Sequence, residues 1–157
     1  MRAFRIADRR FPIFDGSGAR LAGGRWNSPG NSVIYASETY AGAVLEILIH
    51  ANIGRLPSKH VFIEIDVPDD ISSERIASAD VPGWERPEFR ASRRYGDEWL
   101  RKRRTAVLIV PSLVTRGREH NVLINPQHGD FQRIRASAPQ FVHWDDRLFR
   151  LSRGVSA

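Results

Sequence analysis

The sequence predicts an α+β protein, in which short strands alternate irregularly with two helices. The clearest strand is "HVFIEIDV" at 60–67, where apolar and polar side chains alternate and therefore face opposite sides of a sheet. Three further short, apolar and β-rich runs read as strands: "SVIYAS" (32–37), "TAVLIVP" (105–111) and "NVLINP" (121–126). Because the strands and helices follow no regular βαβ rhythm, the pattern favours an α+β fold over a doubly wound parallel sheet.

The remaining elements are predicted from capping and turn signals. Ser37 is the expected N-cap of a helix that runs through "TYAGAVLEILIHA" (39–51). A polar helix is expected over about 88–103, after an irregular stretch at 69–87 that contains two prolines and a glycine. The run "QFVHWDDRLF" (140–149) is predicted as a last strand.

Length and composition set the class of protein. A chain of 157 residues with 41% hydrophobic content suits one compact domain, which we place at 1–157. The chain has no cysteine, so disulfides and thiolate chemistry are excluded. No apolar run approaches the roughly 20 residues of a membrane span, and the N-terminus has no apolar signal-peptide core. A cytoplasmic protein without membrane contact is expected.

The chain is strongly basic, with a formal charge of +6. Such a charge predicts attraction to polyanions but says nothing about the fold. Much of it lies in "RASRR" (90–94) and "RKRR" (101–104), and such runs are usually the solvated face of a helix. A phosphate-bearing ligand or an acidic protein partner would explain them equally well. Direct binding to RNA is disfavoured, because no RNP-like aromatic motif is present.

Glu46 is the most informative charge in the chain. It is the only formally charged residue between Thr39 and Ala51, on a helix that is apolar nearly all round. Such helices are buried, and an unpaired buried carboxylate is unfavourable. Two interpretations stay open: a glutamate paired with a neighbouring arginine or emerging at the helix edge, and a carboxylate that lines a pocket because it carries chemistry.

Arg25 lies in the loop "GGRWNSPG" (23–30), and its guanidinium suits bidentate binding of phosphate. The preceding glycines would let the backbone approach a ligand closely. Trp26 is expected to be a core anchor rather than a pocket wall. Tyr35 is either a structural residue of its strand or a ring that stacks on a flat heteroaromatic group.

Ser112, Asn121 and Asn125 follow or lie within predicted strands and could contact a polar ligand. Ser112 would be a nucleophile only with a base beside it, and no triad spacing is readable. The five histidines show no paired ligand spacing, so no metal is expected. The sequence contains neither GxGxxG nor a P-loop, so neither of these nucleotide-binding fingerprints is present.

Taken in order, these residues resemble the RES-domain proteins, the toxin half of RES–Xre toxin–antitoxin pairs. The arginine, glutamate and serine that give the family its name fall at Arg25, Glu46 and Ser112. Further matches are the early "FRI", "GDEWL" at 96–100 and "NVLINPQHGDF" at 121–131, so that the resemblance runs from about residue 4 to 150. One departure is "LVTRGREH" (113–120), where such proteins often carry an acidic or proline-containing segment.

The resemblance implies a fold similar to ADP-ribosyltransferases, with split, mostly antiparallel sheets and flanking helices. It also implies cleavage of NAD at the nicotinamide–ribose bond, with water, phosphate or a protein taking the ADP-ribose. Glu46 would stabilise the oxocarbenium-like ribose, as a carboxylate does in glycoside hydrolysis. Arg25 would clamp the pyrophosphate or position the ribose, and Tyr35 would stack on nicotinamide. The further NAD-binding candidates are Arg5, Ser112, Asn121 and Asn125.

The implied partner is an Xre-family helix-turn-helix antitoxin that binds over the active-site mouth, and DNA binding would belong to that partner. NAD would be the substrate, no metal would be needed, and expression would arrest growth. The oligomeric state stays open between a homodimer and a hetero-oligomer with the antitoxin. The alternative functions are a basic toxin acting on RNA and a non-catalytic module that binds the antitoxin.

Overall fold

A computed structural model describes residues 1–50 and 57–149 of the chain. Its eight strands are β1 (Arg2–Asp8), β2 (Ile34–Ser37), β3 (His60–Asp66), β4 (Ser73–Arg75), β5 (Val107–Pro111), β6 (His120–Ile124), β7 (Arg135–Ala136) and β8 (Gln140–Phe141). The α-helices are α1 (Ser17–Ala22), α2 (Tyr40–His50) and α3 (Arg90–Lys102). Short 3₁₀ helices cover Ser78–Asp80, Gly129–Arg133 and Asp146–Phe149.

The strands form one sheet in the order β4-β5-β6-β2-β1-β3-β7, with β8 also paired to β3. All pairs are antiparallel except β4 with β5. β1 pairs with β3 along its whole length. Between β1 and β2, in contrast, the described register consists of Phe4 opposite Ser37. The sheet is therefore split into two halves at this junction, and the predicted α+β fold with mostly antiparallel strands is confirmed.

The two long helices lie on the same face of the sheet, one on each half. Along β5, Val107 and Ile109 belong to the core on one face, while Leu108 and Val110 belong to the core beneath α3. The first of these cores also contains Ile63 of β3, so that face is continuous across the split. On the opposite face of β1 and β3, side chains of α2 pack with Ile6 and Phe62. The split between the half-sheets thus lies between α2 and α3.

The predicted alternation of β3 is confirmed, since Val61, Ile63 and Ile65 are buried and their neighbours are not. The predicted N-cap is wrong by two residues. Ser37 ends β2, and the hydroxyl of Thr39 instead accepts a hydrogen bond from the amide of Gly42 at 2.9 Å. A hydroxyl at this position satisfies one of the free amides in the first turn of the helix. The predicted end of this helix, Ala51, lies outside the described residues.

The prediction of a single strand over 140–149 is wrong. Strand pairing ends after Phe141, and a 3₁₀ helix follows at Asp146–Phe149. The Asp145 carboxylate accepts a hydrogen bond from the amide of Arg147 at 2.9 Å, and this local turn begins the 3₁₀ helix. β1 was not predicted at all, because its mixed sequence becomes a strand through its long-range pairing with β3.

The prediction that α2 is buried is also wrong. Gly42 and Ala43 are its buried residues, whereas Leu45 is 40% exposed and Ile49 is 56% exposed. The reason is that α2 covers its half-sheet with one side only, so its apolar far side faces solvent. In the described part of the chain, no helix combines the length and the apolar composition that crossing a membrane requires.

Candidate functional site

The Glu46 carboxylate joins the two half-sheets. Its helix packs on β1 and β3, but its Oε1 accepts hydrogen bonds from Asn121 Nδ2 at 2.7 Å and from Ser112 Oγ at 3.2 Å, both in the β5–β6 half. Ser37 Oγ in turn donates to Asn121 Oδ1 at 2.9 Å and fixes the orientation of that amide. Within the described residues no hydrogen bond reaches Glu46 Oε2. One carboxylate oxygen is therefore anchored, and the other remains for a ligand.

The sequence brings Ser112 and Asn121 together through strand register. In the β5–β6 ladder Val110 lies opposite Asn121 and Pro111 opposite His120. Ser112, two residues after Val110, therefore lies diagonally from Asn121 on the same face of the sheet. Ser112 is only 4% exposed. Among the described side chains no cation forms an ion pair with Glu46, so the interpretation as a Glu–Arg pair gives way to a carboxylate held by an amide and a hydroxyl.

Arg25 lies in the electrostatic range of Glu46. Burial lowers the pKa of Arg25, and the negative charge of Glu46 opposes that shift. Its Nη1 donates to the carbonyls of Trp84 at 2.9 Å and Arg86 at 3.1 Å, and its guanidinium lies 4.5 Å from the ring centroid of Phe89. These contacts orient the guanidinium while the described hydrogen bonds use only one of its three nitrogens.

Tyr35 is bound to the loop that carries Arg25. Its hydroxyl accepts a hydrogen bond from the amide of Trp26 at 3.0 Å and donates to Asn27 Oδ1 at 2.8 Å. Burial raises the pKa of Tyr35 well above its ordinary value. A Cβ on Gly24 would lie 2.6 Å from the Tyr35 hydroxyl oxygen, so this glycine is required by the tyrosine. Trp26 itself is 2% exposed, as expected of a core anchor.

Arg5 lies where β1 and β2 separate. Its Nη1 donates to the carbonyl of Tyr35 and its Nε to the carbonyl of Ile13, both at 2.6 Å. Burial lowers the pKa of Arg5. Because β1 and β2 diverge here, the guanidinium satisfies the Tyr35 carbonyl of β2, and it also binds the carbonyl of Ile13 in the segment that follows β1. The described contacts of Arg5 are thus to the backbone.

Asn125 lies at the other end of β6 from Asn121. The four residue steps from Asn121 to Asn125 span about 13 Å of extended chain. Asn125 is 1% exposed, and its Oδ1 accepts a hydrogen bond from the amide of Gln127 at 2.9 Å. The structure therefore brings Glu46, Ser112 and Asn121 into contact, places Arg25 near them, and leaves Asn125 apart.

Sequence reasoning missed several residues that support the site. Glu119 Oε2 accepts a hydrogen bond from the capping hydroxyl of Thr39 at 3.2 Å, so the unusual segment 113–120 contacts the start of α2. Asp97 and Arg93 of α3 bind the loop of Arg25. The one available signal was "GDEWL", in which an acid stands beside a glycine and a tryptophan on an otherwise polar helix. No group of three or more metal-ligating side chains occurs in residues 1–50 and 57–149.

Comparison with known proteins identifies the family. The model of the RES domain matches residues 2–145. The chain belongs to the RES-domain family. The family predicted from Arg25, Glu46 and Ser112 is thereby confirmed, and with it the predicted membership of a group of toxins.

Relatives and a solved structure agree with this assignment. The "Prs ADP-ribosylating toxin" of Sphingobium sp. (strain YBL2) is 40% identical over 139 residues, which are 86% of each chain. "Toxin Res" of Yersinia enterocolitica is 32% identical over 153 residues, or 94% of this chain and 99% of that one. The toxin–antitoxin complex MbcT–MbcA of M. tuberculosis contains a similar fold, with a TM-score of 0.73 and 16% identity over 90% of this chain and 83% of that chain.

Tyr95, whose ring packs edge-on against Trp26, should make the stability of this RES-domain protein depend on pH. Burial and a hydrogen bond to Glu74 raise the pKa of Tyr95 from 10.0 to about 12. A group whose pKa is higher in the folded chain stabilises the fold at low pH, and this contribution is lost as pH rises through the folded value. We therefore expect the free energy of unfolding to fall between about pH 10 and pH 12. Urea unfolding of the Tyr95→Phe variant should show a shallower fall over this range, and an equal slope in both proteins would contradict the assignment.

Proposed function

We propose that this protein is the NAD-cleaving enzyme of a toxin–antitoxin pair and acts as a single RES domain. Its reaction breaks the bond between nicotinamide and ribose, and loss of NAD or ADP-ribosylation of a target arrests growth. The observation that carries the proposal is the Glu46 carboxylate, anchored through Oε1 by Ser112 and Asn121 between the two half-sheets.

The chemistry needs a carboxylate of this kind. As the nicotinamide bond lengthens, positive charge develops on the ribose, and a fixed negative oxygen nearby stabilises that charge without having to reorient. Glu46 Oε2 supplies this oxygen and can also hold the ribose 2′-hydroxyl. Nicotinamide carries its positive charge before it leaves, so no general acid has to protonate it. A single carboxylate therefore suffices where a glycosidase uses two.

The surrounding residues take supporting roles in this proposal. Arg25 clamps the pyrophosphate with the guanidinium nitrogens other than Nη1, which donates to the carbonyls of Trp84 and Arg86. Ser112 and Asn121 hold Glu46 in place. The ring of Tyr35 is the proposed contact for nicotinamide, while its hydroxyl belongs to the loop. For Arg5 and Asn125 the described contacts favour support of the fold over contact with NAD.

The products distinguish three classes of ADP-ribose acceptor: water, phosphate and a protein. The name of the 40% identical Sphingobium relative supports transfer of ADP-ribose to a protein, and that relative's name gives Prs as its target. Purified protein should release nicotinamide from NAD, and mass analysis should detect ADP-ribose in water, ADP-ribose 1″-phosphate in phosphate buffer, or a Prs protein carrying one ADP-ribose group. NAD left intact with all three acceptors would refute the proposal.

An Xre-family antitoxin is the proposed partner, and the NAD-rich cytoplasm is the proposed location. The supporting observation is the apolar surface beside Glu46, formed by Leu45 and Ile49 of α2 and by Leu113 after Ser112. These three side chains are 40%, 56% and 38% exposed. An exposed apolar group of this kind, next to a polar site, is typical of a protein-binding surface.

The double substitution Leu45→Glu/Ile49→Glu is expected to weaken antitoxin binding by at least about 100-fold, because it puts two charges into an apolar contact. The measurement is calorimetric titration with an Xre-family helix-turn-helix antitoxin. Leu21→Glu is the matched control, since Leu21 is 84% exposed on α1. Equal weakening by both variants would contradict the assigned surface.

A further inference from the structure

We propose that Asp97 is a positioning residue for Arg25, which it serves by binding the Arg25 loop (residues 23–31) to α3. This inference rests on the proposed function, because Arg25 is the residue that would hold the NAD phosphates. It assigns a role to an acid that does not itself touch Glu46 or its partners within the described hydrogen bonds.

Both carboxylate oxygens of Asp97 bind the loop. Oδ1 accepts hydrogen bonds from the amide of Ser28 at 2.9 Å and from Asn31 Nδ2 at 2.7 Å, and Oδ2 accepts from Ser28 Oγ at 2.6 Å. Hydrogen bonds to an ionised carboxylate are about twice as strong as those between neutral groups. The end of the loop after Arg25 is therefore fixed to the third turn of α3.

The start of the loop is fixed to the same helix face. Arg93 Nε donates to the carbonyl of Gly24 at 2.8 Å. Gly96 lies so close to the loop that a Cβ there would be 1.8 Å from the carbonyl oxygen of Trp26. Positions 93, 96 and 97 lie on one side of a helix, since residues three and four apart are neighbours. Arg25 is thus held between an anchor on each side.

These anchors matter because the loop has no regular structure of its own. A loop without such contacts moves more than the elements it joins. The Arg25 guanidinium makes its own contacts with the carbonyls of Trp84 and Arg86, and the position of the loop backbone sets where this side chain starts. Loss of the Asp97 anchor should therefore act on NAD through Arg25.

A role for Asp97 as a direct ligand group is disfavoured. Asp97 borders an open cleft of about 660 Å³ together with Arg94, Arg101 and Arg103. Its two oxygens, however, already accept three hydrogen bonds from Ser28 and Asn31. An acid occupied in this way has little capacity left for a ligand, whereas it fits the role of a loop anchor.

A double-mutant cycle tests the coupling. Nicotinamide release from NAD is measured for the wild type, Asp97→Ala, Arg25→Ala and the double variant. In the wild-type background Asp97→Ala should lower kcat/KM about 10- to 100-fold, mainly through a higher KM for NAD. In the Arg25→Ala background the same change should alter kcat/KM less than about twofold, because the residue through which Asp97 acts is gone.

The matched control is Glu98→Gln, the next residue on α3, whose carboxylate pairs with Lys102 instead of the loop. It should leave kcat/KM within about twofold of the wild type. If Asp97→Ala lowers kcat/KM equally in both backgrounds, Asp97 acts independently of Arg25 and the inference is overturned. Should the alanine variant fail to fold, Asp97→Asn is used instead, because it keeps an acceptor for the Ser28 amide. It should lower kcat/KM by a smaller factor in the wild-type background and again change it little in the Arg25→Ala background.

A second measurement separates this inference from the proposed function. The Ser28 amide donates to Asp97, so its hydrogen exchange should accelerate at least about tenfold in Asp97→Ala and stay unchanged in Glu98→Gln. If the wild type releases no nicotinamide, the proposed function fails, and the exchange result still decides whether Asp97 holds the loop. Unchanged exchange at Ser28 in Asp97→Ala would overturn the inference.

Discussion

Glu46→Gln is expected to slow nicotinamide release from NAD by about 100- to 1,000-fold, the usual effect of removing one group that stabilises charge in a transition state. Glutamine has the same shape and retains an oxygen that can accept from Asn121 Nδ2 and Ser112 Oγ. Folding should therefore be preserved while the negative charge is lost. Steady-state release of nicotinamide, followed by liquid chromatography, gives the rate, and circular dichroism checks the fold.

Glu119→Gln provides the matched control for this experiment. Glu119 is also a glutamate near α2, but its Oε2 binds the Thr39 hydroxyl at the start of the helix. Its replacement should change the rate less than about threefold, since its effect is confined to helix capping. If Glu46→Gln retained wild-type activity, Glu46 could not be the residue that stabilises the ribose cation. Equal losses in both variants would point to general damage to α2.

The largest expected effect on stability comes from Gly96→Ala in α3. A Cβ at this position would lie 1.8 Å from the carbonyl oxygen of Trp26 and 2.9 Å from its carbonyl carbon. Both atoms are backbone, and Trp26 is packed against Trp84 with 6.1 Å between ring centroids. The loop and helix must therefore separate, and we expect a loss of about 3 kcal/mol or more in the free energy of unfolding.

Gly18→Ala is the control for this substitution. It also places an alanine in a helix, α1, but no atom outside its immediate neighbours lies within 4 Å of the new Cβ. Such a change stabilises a helix by about 0.4–1 kcal/mol, because alanine loses less backbone freedom on folding. Urea unfolding of both variants tests the pair. A small effect of Gly96→Ala would show that the loop is not packed against α3 as closely as described.

The Gly96→Ala variant also links stability to the site. Gly96 separates Arg93 from Asp97, the two residues that hold the ends of the Arg25 loop. Strain at Gly96 should accordingly raise the KM for NAD even at temperatures where the variant is still folded. Helix α3 therefore has two tasks: its buried side covers the β5–β6 half of the sheet, and its loop-facing side places Arg25.

Much of this protein could be predicted from residues that are close in sequence. The alternation in 60–67 gave β3 because side-chain direction in a strand has a period of two. The apolar runs gave β2, β5 and β6 to within two residues. The helix over 88–103 is observed as Arg90–Lys102. Glu46 stood out as the single charge on an apolar helix, and the ordered matches at Arg25, Glu46 and Ser112 gave the family.

The surroundings of these residues could not be predicted from neighbouring positions in the sequence. Sequence indicated that α2 is apolar all round, but which side would meet β1 and β3 depends on packing, and Leu45 and Ile49 remain exposed. Thr39 replaces Ser37 as the cap because the register of β2 with β6 keeps Ser37 in the sheet, opposite Asn121. For the same reason Ser37 binds the Asn121 amide.

The sequence by itself determined the α+β class, the strands β2, β3, β5 and β6, and the family. It also singled out the charged residues to which we assign the proposed NAD chemistry. Only the tertiary structure decided what holds those residues. Glu46 meets Asn121 across 75 positions, and Asp97 meets Ser28 across 69. Periodicity and capping act over a few neighbouring residues, whereas such contacts form only when the strands pair and α3 packs against the Arg25 loop.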